Sequence, residues 1–130
     1  MRINIQNKNL FEKVIQQILP ELSILQYTGV TIDSRKVEPG DIFLALKGEN
    51  TDGHEFIEQA HQSGASIAII EKTTDISTPV FQVPSTRIFL NDFAAAYRKN
   101  ITCPLIGITG SNGKTTTKDL LSHVLSASMK

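Results

Sequence analysis

Short apolar runs of strand length alternate with stretches of helical periodicity through most of this 130-residue chain, and that alternation constrains the fold more than any other feature. Leu10, Val14, Ile15, Ile18 and Leu19 recur at helical spacing until Pro20 interrupts them, which predicts one amphipathic helix. Residues 29–32 and 41–46 read as two strands, joined by a polar stretch in which Pro39-Gly40 signals a turn. A helix over 55–63 is expected to stop at Gly64, the residue type best suited to the left-handed conformation beyond a helix end. The apolar run 66–70 and the segment 79–83 supply two further strands. Ser85 or Thr86 then caps a helix reaching Lys99, with Phe89, Leu90, Phe93, Ala94 and Tyr97 facing inward. Parallel strands need helical crossovers that cover both sheet faces, so the pattern predicts an α/β domain closing near Asn100.

A polar step at 100–104 marks a boundary that separates a first part, 1–100, from a second, 101–130. There Leu105-Ile106-Gly107-Ile108-Thr109 reads as a buried strand running into a glycine loop and an amphipathic helix that carries Leu120, Leu121, Val124 and Leu125. One such β-loop-α unit leaves both faces of its strand bare, and a complete nucleotide-binding domain needs several more. The second part is therefore expected to be the opening of a larger domain, and the chain a fragment.

Charge narrows the partners. Thirteen basic residues balance thirteen acidic ones, with 13 of each and no block of one sign, so neither a nucleic-acid backbone nor an anionic bilayer is an expected partner. The first twenty residues do not form a signal peptide, and no apolar run is long enough to span a membrane. A cytoplasmic monomer is the expectation. Cys103 is the single cysteine, which excludes an internal disulfide and a cysteine-based metal site and reads as a small buried apolar residue.

The loop Gly110-Ser111-Asn112-Gly113-Lys114-Thr115-Thr116 carries the chemistry. Polyphosphates bind where consecutive backbone N–H groups and a helix dipole converge, and glycines let phosphate oxygens approach without meeting a Cβ atom. Lys114 would reach the β and γ phosphates of ATP, and the Thr115 hydroxyl would be placed to ligate Mg²⁺. The spacing departs from the strict Walker pattern, because Ile108, not glycine, stands five residues before Gly113. A structural turn followed by an exposed lysine is the bland alternative. The consecutive hydroxyls Thr115, Thr116 and Thr117 argue against it, since β-branched residues start helices poorly unless their oxygens serve as ligands or caps.

The run from Ile108 through Asp119 closely resembles the ATP loop of the Mur ligases, whose pattern is Thr-Gly-Ser/Thr-Asn-Gly-Lys-Thr. Upstream, Asp33-Ser34-Arg35-Lys36-Val37-Glu38-Pro39-Gly40-Asp41 with Ile42 to Gly48, and Asp52-Gly53-His54-Glu55-Phe56-Ile57, look like the nucleotide-sugar domain of the same family. Three signatures in the family's own order cover the chain from Thr28 to Leu125. Ser111, Lys118-Asp119 and Ala94-Ala95-Ala96-Tyr97-Arg98 resemble most the branch that adds D-alanyl-D-alanine; the branch that adds diaminopimelate or lysine is the runner-up.

The resemblance implies an α/β UDP-sugar-binding domain followed by the first unit of a P-loop ATPase domain. It also implies an ATP- and Mg²⁺-dependent ligase of peptidoglycan precursor synthesis, in which ATP phosphorylates the carboxylate of a UDP-MurNAc-peptide and an amine, here that of D-alanyl-D-alanine, attacks the acyl phosphate. Lys114 is the expected catalytic residue and Thr115 the metal ligand, with a carboxylate that lies beyond Lys130 in the family. The UDP part of the substrate is assigned by analogy to Ser34, Arg35, Lys47, Gly48, Asp52, Gly53 and His54. Arg35 suits a diphosphate through its paired donors, and its alternative is a surface ion pair with Asp33 or Glu38. Lys47 could equally be a solvated strand end, His54 a structural hydrogen-bonder, and Asp33 and Asp41 turn formers. Two rival readings are a non-catalytic UDP-sugar or partner-binding module and an unrelated P-loop ATPase or kinase. The latter leaves the upstream signatures without explanation.

Overall fold

A computed structural model describes residues 2–22, 27–73 and 79–128. Its center is a five-stranded sheet in sequential order, with β1 (Arg2–Asn4), β2 (Gly29–Thr31), β3 (Ile42–Leu44), β4 (Ile67–Ile70) and β5 (Val80–Gln82). β1 runs antiparallel to β2 and the other pairs are parallel, in a register that sets Val30 beside Ile42, Phe43 beside Ala68 and Ile69 beside Phe81. The helices are α1 (Lys8–Ile18), α2 (Ile57–Gln62), α3 (Thr86–Lys99) and α4 (Lys114–Ser128).

Because successive side chains leave a strand on opposite faces, β3 and β4 feed two cores at once. Ile42, Leu44, Ile67 and Ile69 join Phe11 and Ile15 of α1 and Phe89 of α3 on one face. Phe43, Ala68 and Ile70 meet Ile57 and Ala60 of α2 on the other. Helices on both faces are what allow β3 and β4 to be apolar at every position, and each fully buried isoleucine contributes about 1.5–3 kcal/mol by leaving water. The first face is closed by aromatic packing: the Phe11 ring lies 5.3 Å from that of Phe93 and 6.3 Å from that of Tyr27.

Local signals explain the element ends. The Asn7 side chain accepts the Leu10 N–H at 3.0 Å and starts α1. Ser85 caps α3 in the same way, from Ile88 N at 3.4 Å. After α2 the chain turns at Gly64, with φ +105, and the Gly64 N–H returns to His61 O at 2.8 Å.

Five features differ from the sequence reading. β1 is an additional strand, anchored by pairing with β2 and by Arg2, whose Nε lies 2.6 Å from Asp41 Oδ2. The expected helix over 55–63 is split into a 3-10 turn, Gly53–Phe56, and α2. Ala94 is exposed on α3, while Leu90, Phe93 and Tyr97 pack against the core. Cys103 is exposed. Finally, the run 105–109 forms no strand, and Leu105 and Ile106 are 64% and 58% exposed. A strand's backbone groups need a neighboring strand, and this run pairs with none among the described residues.

Asp41 is more than a turn former. Fully buried, it accepts from both Nε and Nη2 of Arg2, from Glu38 N at 2.9 Å and from Thr28 Oγ1 at 3.0 Å. Burial pushes its pKa up, but the Arg2 guanidinium, the Glu38 N–H and the Thr28 hydroxyl together hold it below the usual carboxylate range.

Candidate functional site

In a parallel sheet, ligands gather where chains leave the carboxyl ends of the strands. Here the segments that follow β2 and β3 enclose a cleft of ≈ 670 Å³. Ile32, Leu46 and Phe56 give it apolar walls. Of the residues assigned to the UDP part by the sequence, Ser34, Arg35, Lys47, Gly48 and Gly53 line it, whereas Asp52 and His54 do not. Gly53 is required by close approach, since a Cβ there would stand 2.8 Å from both the N and O of Leu46.

The side chains around the cleft differ in how free they are. Ser34 is buried and donates to Gln59 Oε1 at 2.8 Å, which leaves its oxygen as an acceptor. Arg35 is gripped by Asp33 through Nε to Oδ1 at 2.9 Å and Nη2 to Oδ2 at 3.0 Å, although its side chain is 80% exposed. That side-chain bond, reinforced by the Arg35 N–H, lowers the Asp33 pKa to about 2. Lys47 is exposed on a short bridge with Asp52, closed by Gly48 N to Thr51 O at 2.9 Å.

His54 and Asp52 belong to the frame behind the cleft. Asp52 caps the 3-10 turn through His54 N at 3.0 Å and lies 2.6 Å from His54 Nδ1. His54 Nε2 accepts the Glu71 N–H at 2.9 Å, so the ring proton belongs on Nδ1, facing the Asp52 carboxylate. The Asp52 pKa is lowered, first by the His54 backbone N–H and then by its ring. Glu71 continues the circuit: its Oε1 accepts Thr86 N at 2.8 Å and lies 2.9 Å from the Thr86 hydroxyl, which is also 3.1 Å from Ala45 O. These bonds, from the Thr86 N–H first, lower the Glu71 pKa. Both ring nitrogens of His54 are thus engaged within the chain.

The second group of residues, Gly110 to Thr116, spans the loop before α4 and its first turn, and all of it is exposed. Gly110 and Gly113 have φ of +150 and +77, the second a value that side chains rarely adopt. The first bond of the α4 ladder is Thr117 N to Gly113 O at 2.9 Å, so the amides of Lys114, Thr115 and Thr116 precede the ladder. Among the described residues, no N–H from Gly110 to Thr116 donates to a protein carbonyl. The Lys114 ammonium folds back over the loop and donates to Gly110 O at 2.5 Å. Free first-turn amides beside an ammonium fit a polyphosphate, by charge and by donor count. For a cation the fit is thinner: Thr115 offers one hydroxyl, and no group of three His, Cys, Asp or Glu side chains able to hold a metal occurs among the described residues.

Residues 26–109 match the model of the Mur ligase family, catalytic domain. The chain belongs to the Mur ligase family. It is 39% identical over 98 residues to the UDP-N-acetylmuramoyl-tripeptide--D-alanyl-D-alanine ligase of Escherichia coli (strain K12), covering 75% of this chain and 22% of the relative. The enzyme of that description from Bacillus subtilis (strain 168) is 38% identical, over 91% of this chain and 27% of its own. A Mur ligase of another specificity, the UDP-N-acetylmuramoyl-L-alanyl-D-glutamate--2,6-diaminopimelate ligase of Listeria innocua, is also 38% identical, over 78% of this chain and 21% of its own. The MurF structure from Acinetobacter baumannii superposes with a TM-score of 0.71 at 37% identity, covering 89% of this chain and 27% of that one. This chain therefore spans only 21–27% of the length of these relatives.

Thr51, Gln59 and one cation of the cleft in this Mur ligase chain escaped the sequence reading. Arg87, in the first turn of α3, lines the cleft and donates to Lys47 O at 3.2 Å. A signal was present: a basic residue in a first helical turn opposes the helix dipole, so something else must favor it there.

Proposed function

We propose that this chain is the front part of an ATP-dependent ligase that adds D-alanyl-D-alanine to a UDP-MurNAc-tripeptide. Residues 1–100 would form the substrate domain, and residues 101–130 would open the ATPase domain. The observation that carries this reading is the loop at Gly110–Thr116, where free amides, two positive-φ glycines and a folded-back lysine suit a nucleotide polyphosphate. Family membership and the cleft behind β2 and β3 support the substrate half.

A carboxylate does not react with an amine until it carries a leaving group. Transfer of the γ-phosphoryl group of ATP to the carboxylate gives an acyl phosphate and ADP, and attack by the amine gives the amide and phosphate. Lys114 would hold the transferred phosphoryl oxygens as negative charge moves onto them. Mg²⁺, when bound, neutralizes part of that charge, and Thr115 is the residue here that would contribute to holding it. Ser34, Arg35, Lys47, Gly48 and Gly53 would hold the nucleotide end of the acceptor. Asp52 and His54 would keep that end in shape, not touch it.

A second reading, addition of diaminopimelate or lysine to a UDP-MurNAc-dipeptide, is favored by one observation: the diaminopimelate-adding relative is as similar as the dipeptide-adding one, at 38%. Full-length protein offered D-alanyl-D-alanine, diaminopimelate and lysine, each with its matching acceptor, separates the two by phosphate release. Release with D-alanyl-D-alanine is expected. Release only with diaminopimelate or lysine would move the chain to the other branch, and release with none would sink the ligase reading.

A further inference from the structure

We infer that Arg87, not Arg35, is the arginine that selects the diphosphate of a nucleoside-diphosphate ligand, beside Lys47 at the same waist, and that the ligand's next, uncharged group lies in the hollow beyond it. The inference rests on the nucleotide-binding reading of the cleft and goes further, to the order of the groups along it.

A second hollow of ≈ 400 Å³ adjoins the cleft. The two share Lys47, Gly48 and Arg87, so they form one trough with those residues at the waist. The two ends of the trough differ in chemistry. The cleft has the apolar walls Ile32, Leu46 and Phe56, suited to a flat base. The hollow carries two carboxylates, Glu49 and Glu71, which repel phosphate but accept hydrogen bonds from hydroxyl groups. Glu71 commits Oε1 to Thr86 and Ser85 and keeps Oε2 as an acceptor. Phosphates are thus driven to the waist, and a hydroxyl-rich group such as a sugar to the hollow.

The choice between the arginines follows from their partners. Arg35 gives two of its donors to Asp33, whose lowered pKa keeps that carboxylate charged across the neutral range, so the pair carries no net charge. Arg87 makes one bond, to a neutral carbonyl, and has no carboxylate within ion-pair distance among the described residues. Its charge and most of its fork remain available for a diphosphate. The position of Arg87 against the dipole of α3 is accounted for by such a ligand.

The test uses full-length protein and two probes, UDP and uridine, titrated separately at millimolar concentrations and followed by amide chemical shifts. The wild type is expected to prefer UDP. Arg87→Ala should lower UDP affinity by about tenfold and leave uridine unchanged, Arg87→Lys should restore part of the preference, and Arg35→Ala should lose less than Arg87→Ala. Arg87 is exposed, and an unshifted melting curve for each variant would show that the fold is intact. If Arg87→Ala keeps the full preference, or Arg35→Ala loses as much, the assignment to Arg87 is overturned while the cleft reading stands. If the wild type shows no preference for UDP over uridine, the cleft reading itself falls, and this inference with it.

Discussion

The sheet region, from Arg2 to Tyr97, and the stretch from Ile101 to Ser128 solve the same problem to different degrees. In the first, apolar strands are covered on both faces, and buried polar groups such as Asp41 and Thr86 find partners within the chain. In the second, Leu105, Ile106, Leu120 and Val124 are exposed, and the loop amides donate to no carbonyl among the described residues. A sheet stabilizes itself once it has neighbors on each side; a loop and helix without a covering layer do not. The first region holds its shape from within, whereas the second leaves apolar side chains and loop amides open.

The largest effect should come from the open region. On the proposed mechanism, Lys114→Ala in full-length protein should reduce turnover by at least about 10²–10³-fold, because it would remove one preorganized charge at the transferred phosphoryl group. Affinity for the UDP-MurNAc acceptor should stay unchanged by calorimetry, since that end is assigned to the cleft. Unchanged phosphate release would refute the role of the lysine.

Stability should show the opposite distribution. Ile69, fully buried between the strands and the α1–α3 face, should cost about 3 kcal/mol when replaced by Ala, measured by urea unfolding of this chain. Leu120→Ala, at a side chain in a residue 65% exposed, should change stability by no more than about 0.5 kcal/mol. Equal costs would mean that α4 is packed as tightly as the sheet, and the contrast would collapse.

Much of the sheet region was legible because its signals are local. The spacing of Leu10, Val14 and Ile15 marks α1, Ser85 marks the start of α3, and Gly64 marks the end of α2. What escaped depends on distant pairing. β1 has three residues, and its anchor, Arg2 on Asp41, joins positions 39 apart, which no periodicity reveals. The apolar run 105–109 reads as a strand from its composition, yet a strand also needs a ladder. Ala94 was placed inward by helical spacing, but the larger Phe93 and Tyr97 fill that face of α3. In the cleft, Ser34, Arg35, Lys47 and Gly53 were found through their motifs, whereas Arg87 lies 40 residues from the Lys47 carbonyl it reaches. Neither His54's engagement with Glu71 nor Arg35's with Asp33 is fixed by sequence, because either side chain could have turned to a ligand.

The Asp41 clamp gives a smaller effect with a pH signature. Asp41→Ala should cost about 2–3 kcal/mol at pH 7, since charge-assisted bonds to Arg2 and the bond from Glu38 N are lost together. The folded pKa of Asp41 lies below its unfolded value, so this stability is fully present above about pH 4 and fades as pH falls through the folded value. Urea midpoints of wild type and Asp41→Ala should therefore converge as the solution is acidified toward pH 2. Parallel curves down to that pH would show that the carboxylate charge contributes nothing.

The smallest effect concerns the cleft rim, where it asks whether the order of the sheet region reaches its surface. Arg35 and Asp33 are two residues apart, and the arginine side chain is 80% exposed, so the pair should add little to stability. It should nevertheless be visible by titration. The Asp33 carboxyl carbon should titrate near 2 in the wild type and return toward the ordinary value of about 3.9 in Arg35→Ala, because the guanidinium bond is the largest cause of the shift. The sign follows from the lowered folded pKa: whatever the pair contributes is complete above about pH 4 and disappears toward pH 2. If Asp33 titrates near 3.9 with Arg35 in place, the guanidinium is not held. Arg35 would then be as free as Arg87, the rim would be as open as the loop before α4, and the division between a self-contained sheet and an open loop would stop short of the cleft.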